Sequence, residues 1–154
     1  MAETPICSCG ANEPGRIIFP CAGQANTGQI ANLAAVELTE KGYGSIACVA
    51  KLAIGDEGLV NSARNADEVV VIDGCPLHCA KKIVLAQGVV TAQHVVVTDP
   101  GIAKGPSKSC TPDDVETVVS ACWRGTGKDT DASDIAPQDG TQCSESDCGC
   151  GGGC

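Results

Sequence analysis

Val70-Val71-Ile72-Asp73-Gly74-Cys75-Pro76-Leu77-His78-Cys79-Ala80-Lys81-Lys82 is the stretch on which the fold turns. Its β-branched run from Val69 to Ile72 suits a parallel strand buried on both faces. Gly74 permits a sharp turn, and Pro76 suits the first position of a helix. This reading predicts a helix from 76 to 87, with Cys75 as its N-cap and Cys79 one turn further on the same side. Both thiols are then expected where unpaired backbone N–H groups and the helix dipole favour negative charge.

Outward from this unit, strands are predicted over residues 16–20, 45–50, 68–72 and 94–98. Helices are predicted over 26–41, 59–65, 76–87 and 111–123. Asn26 or Thr27 caps the first of these helices in this reading, and Thr111 the last, ahead of an acidic first turn. Strands alternating with helices at this interval form βαβ units. The expected fold is a Rossmann-like or flavodoxin-like three-layer α/β sandwich, with a mostly parallel sheet of four to five strands. Three segments follow: an irregular cysteine-containing arm over 1–14, the α/β domain over 15–124, and a flexible Gly/Asp/Cys-rich tail over 125–154.

The chain has 154 residues, with one Trp, one Tyr, one Phe and one Met, so its core must be built of Val, Ile, Leu and Ala. A net charge of −9 argues against nucleic acid or an anionic membrane as partner. The first residues lack the basic and apolar regions of a secretory signal, so the expected location is cytoplasmic, where thiols stay reduced. Twelve cysteines in that setting point to metal ligation or thiol chemistry rather than a disulfide scaffold.

Open parallel sheets bind ligands beyond the carboxyl ends of their strands, where strand order reverses. Cys21 follows the first strand and Cys75 the third, neighbours in a flavodoxin-like order. Cys79 adds a third thiol, and Cys48 a fourth if the second strand ends near it; a buried core cysteine is the other reading of Cys48. Cys110 and Cys122 read as packing residues, and His78 as an exposed helix residue.

Asp73-Gly74-Cys75, Pro76-x-x-Cys79-Ala80-Lys81-Lys82, Cys21-x-Gly23 and Gly28-Gln29 together resemble the DGC family, named for that tripeptide and described as zinc-binding. The resemblance covers residues 16–119 and implies four chelating cysteines, matched here to Cys21, Cys48, Cys75 and Cys79. Four thiolates suit tetrahedral zinc, and equally a [4Fe–4S] cluster. Cys7, Cys9, Cys143, Cys148, Cys150 and Cys154 form a candidate second site for a soft ion.

The resulting expectation is a cytoplasmic metal-binding protein for metal or thiophile handling or redox sensing, with a metal ion or thiophilic species and a metal- or sulfur-exchanging protein as the expected partners. The alternative is a thiol oxidoreductase or sulfur-transfer enzyme with Cys75 as nucleophile and Cys79 or Cys21 resolving. Gly23-x-x-x-x-Gly28 imitates a phosphate loop, but Gln29 stands where its lysine belongs.

Overall fold

The computed structural model describes residues 15–128. Its central strand is the predicted one, extended by a residue: β3, Glu68–Asp73, buried from Val69 onward. β1 (Arg16–Pro20) and β4 (Gln93–Val96) flank it, and β2 (Ser45–Ile46) pairs with the far side of β1. All pairings are parallel, and the order is β2-β1-β3-β4.

The pleat divides the core. Ile18, Val70, Ile72, Val95 and Val97 pack with α1 (Asn26–Glu40) and α5 (Pro112–Trp123). Phe19, Val69 and Val71 face the other way, toward α2 (Val49–Ala53), α3 (Glu57–Arg64) and α4 (Cys79–Ala86). The result is a three-layer α/β sandwich of the Rossmann/flavodoxin type, built almost without aromatic residues.

Two local expectations are corrected. The second strand does not reach residue 50: after Ile46 the chain turns, and Val49–Ala53 forms a short helix whose Leu52 is fully buried. Cys48 caps that helix, its sulfur accepting from Lys51 N at 3.4 Å, and it is exposed. α1 takes no side-chain cap from Asn26 or Thr27; both lie inside the helix and are buried, and its N-cap is Ala25. Thr111 does cap α5, accepting from Asp114 N at 3.2 Å.

The amino-terminal edge of the sheet is locked by polar contacts. Arg16 pairs with Glu68 at 2.7 Å and lies over the Tyr43 ring, while the single Tyr43 O–H proton is shared between Gln93 Oε1 and the Cys122 carbonyl. Past α5 the chain runs beside β4: His94 N donates to Gly127 O at 3.1 Å, and Gln93 Nε2 to Thr126 O at 2.8 Å. No helix among the described residues is long and apolar enough to cross a membrane.

A candidate thiol site at the strand ends

Strand order reverses between β1 and β3, so the ligand crevice of this fold class lies above their carboxyl ends. Pro20 pairs with Ile72, and Cys21 N continues the ladder by donating to Ile72 O at 2.8 Å. Cys21 therefore stands level with Asp73, and Cys75 comes two residues beyond it on the neighbouring strand. Three glycines bring the surrounding loops together. A Cβ on Gly28 would lie 2.5 Å from Gly23 N, and one on Gly74 would lie 2.9 Å from Gly28 N. Backbone thus packs on backbone where the first turn of α1 presses against both cysteine loops. Gln29, in the place of a phosphate loop's lysine, donates instead to Gly23 O at 2.8 Å and closes its own loop.

Asp73 corrects the predicted helix start. Its carboxylate, almost fully buried, accepts from Ala80 N at 2.8 Å and Lys81 N at 3.1 Å, and pairs with His94 Nε2 at 3.0 Å. It therefore caps α4 from seven residues upstream. The helix begins at Cys79 rather than at 76, and its N-cap is His78, not Cys75. Amides expected to face the thiols are satisfied by Asp73. Residues 74–78 form a turn closed by His78 N donating to Cys75 O at 3.2 Å, which holds Cys75 outside the helix.

His78 is neither exposed nor relaxed. It adopts φ 52° and ψ 43°, the left-handed conformation that costs a non-glycine residue ~1–2 kcal/mol. Its ring meets His94 edge-on at 4.9 Å, and burial, aided by His94, pushes its imidazole below the usual range. His94 was legible only as a strand residue; the sequence held no sign that it reaches Asp73.

The loop between β4 and α5 completes the site. Asn26, inside α1 and buried, donates to Ala103 O at 3.0 Å and Ser109 O at 3.2 Å, and accepts from Gly105 N at 2.6 Å. That clamp folds the loop over the strand ends, and Lys104 Nζ reaches Cys75 Sγ at 3.7 Å. Lys104 was not singled out from sequence, and Asn26 was read only as a helix cap. Cys110 Sγ donates to Ser107 O at 3.2 Å, and Cys122 is buried in the core, where burial pushes its thiol up to about 12.

Of the predicted ligands, Cys21, Cys75 and Cys79 share the carboxyl edge at β1 and β3, all as free thiols. Cys48 reaches the same edge on the far side of β1, lining a cleft of about 370 Å³ with Pro20, Ala22 and Asn32. Soft sulfur donors suit zinc or an iron–sulfur unit. As placed, however, no three His, Cys, Asp or Glu side chains among the described residues are grouped to hold one ion. Cys7, Cys9, Cys143, Cys148, Cys150 and Cys154 lie outside the described residues.

A family model, the DGC domain, matches residues 17–122, from β1 to the end of α5. The chain belongs to the DGC family. The DGC protein named "Anaerobic and virulence modulator AnvM", from Pseudomonas aeruginosa, is 30% identical over 105 residues, 68% of this chain and 80% of the relative. No solved structure matches the chain. In this DGC protein the naming tripeptide divides its work: Asp73 caps α4, Gly74 admits α1, and Cys75 meets Lys104.

Proposed function

We propose that this protein is a cytoplasmic thiol-centred binding protein in which Cys21, Cys75 and Cys79, joined by Cys48, hold a soft metal. The observation that carries the reading is the register of β1 and β3, which brings Cys21 and the Cys75 loop to adjacent strand ends at the reversal point. Zinc is the first candidate and a [4Fe–4S] cluster the second, since four thiolates satisfy either. A bound ion would tie the two cysteine loops together, and the exposed Cys79 and the Cys75 turn must close to reach it, coupling metal affinity to local folding. Cys7, Cys9 and the four cysteines from Cys143 onward would take a second soft ion or pass one to a metal- or sulfur-exchanging protein. A relative named as an anaerobic and virulence modulator fits a thiol centre that answers to metal or redox state.

Anaerobic purification with elemental analysis, followed by competition against a chromophoric zinc chelator, tests this. Cys75→Ser and Cys21→Ser should each abolish one tightly held equivalent, while Cys122→Ser, in the core, should not. Full occupancy in both strand-end variants would overturn the reading. A second reading is favoured by the contact of Lys104 with Cys75: an ammonium beside the sulfur suits a nucleophile, with Cys75 attacking an electrophilic sulfur and Cys79 or Cys21 resolving.

A further inference from the structure

Against a net charge of −9, the thiol edge carries lysines without acidic partners among the described residues. Arg16, Lys41, Lys51 and Lys128 are each engaged by a carboxylate elsewhere on the molecule. Lys81 and Lys82 in the first turns of α4, and Lys104 and Lys108 on the β4–α5 loop, form no salt bridge among the described residues. These are the two segments that flank Cys75. The loop is not free to wander, because Asn26 holds it at three points. Asp99 is the carboxylate at the start of the same loop, and Asp73 is buried beneath its own hydrogen bonds. Positive charge at the sulfur is thus built in, and Lys104 is the group in contact.

We infer that Cys75 exchanges with anionic low-molecular-weight disulfides, and that Lys104 is the specificity residue that selects their charge. The Cys75 sulfur, its proton given to solvent, attacks one sulfur of the disulfide. A Cys75–sulfur bond forms, the original S–S bond breaks, and the second sulfur leaves with the electron pair as a thiolate. The disulfide is the oxidant and Cys75 the reductant, so no further reactant is needed. The Lys104 ammonium sits where negative charge lies on the attacking sulfur and where carboxylates of the incoming molecule gather. The inference rests on the nucleophile reading and concerns Cys75 when its sulfur is not engaged by a metal.

Full-length protein, stripped of metal and fully reduced, is treated separately with oxidised glutathione (anionic), cystamine (cationic) and iodoacetamide (neutral). Adducts on the Cys75 peptide are followed by mass mapping, with the urea-unfolded chain as reference. Relative to that reference, the rate ratio of oxidised glutathione to cystamine should rise by about tenfold, the lower range of electrostatic steering. It should collapse toward the unfolded value at about 1 M salt, where the Debye length is ~3 Å. Lys104→Gln should remove most of the preference, and Lys104→Arg should restore it. A ratio equal to the unfolded chain's and unmoved by Lys104→Gln overturns the inference, even if iodoacetamide shows a fast Cys75. If iodoacetamide also reacts no faster than with the unfolded chain, the nucleophile reading falls with it.

Discussion

Replacing Asp73 tests the architecture of the site directly. Its carboxylate serves two helix amides and a buried histidine, at 2.8, 3.1 and 3.0 Å, in a place with 1% exposure. Asp73→Ala leaves the first-turn amides of α4 without their acceptor and His94 without its partner. Losing a cap costs ~1 kcal/mol, and hydrogen bonds to a charged acceptor ~1.5–3 kcal/mol each. These contributions overlap, so the total is taken as about 3–5 kcal/mol rather than their sum. Domains of this size hold only ~5–15 kcal/mol of stability, so the alanine variant should fold marginally.

Asp73→Asn is the measurable companion. One oxygen can still accept from Ala80 N, and His94 can change tautomer to accept from the amide, leaving Lys81 N as the main loss. A cost of about 1.5–3 kcal/mol follows. Urea denaturation followed by Trp123, the single tryptophan, gives both values, and the alanine midpoint should fall by roughly 2 M at ordinary urea sensitivity. Hydrogen exchange adds a local signature: the Ala80 and Lys81 amides should lose protection before those of α1. If Asp73→Ala costs less than about 1 kcal/mol, the carboxylate is not what starts α4, and the account of the cysteine turn fails with it.

Two further predictions concern the frame around the site. Burial pushes the phenol of Tyr43, the single tyrosine, up to about 12, so its phenolate absorbance should appear near that pH in the folded protein and near 10 in urea. Because the unfolded chain ionises first, stability should decline as pH rises from about 10 toward 12; a folded-state titration near 10 would mean that the Tyr43 phenol is not buried. Gly28→Ala puts a Cβ 2.5 Å from Gly23 N, backbone that cannot yield cheaply, and should cost about 1–3 kcal/mol in a thermal or urea melt. An unchanged melt would show that the glycines do not set the approach of α1.

What the sequence revealed follows from what periodicity encodes. The valine run of β3, the Asp-Gly break and the alternation of strands with helices are local signals, and they suffice for the strand order and for bringing Cys21 and Cys75 to neighbouring ends. The start of α4 was missed because its cap comes from seven residues upstream, against the usual rule of a cap beside the helix. α2 was missed because its five residues follow a strand-like run without a break, and its cap is a cysteine sulfur. Lys104 and Asn26 act across 29 and 79 residues of chain respectively, separations at which no spacing rule speaks. His94 was hidden by its strand, where a lone histidine reads as filler until its partner is placed.

The order Asp-Gly-Cys follows from the pleat. Val69 and Val71 face α2–α4, so Asp73, of the same parity, points to the side where α4 begins and finds its amides there. His94 alternates in the same sense, since Val95 and Val97 face α1 and α5, and so it meets Asp73 on that same side. Val70 and Ile72 face α1, so position 74 turns toward α1 as well, where a Cβ would strike the backbone of Gly28. The aspartate is therefore required at an odd position and the glycine at the next even one, each by a different helix. Cys75 is the first residue past both constraints, free to leave the sheet and meet Lys104. A one-residue slip of β3 would exchange the two faces: it would bring a carboxylate against α1, leave α4 without its cap, and withdraw the thiol from the crevice.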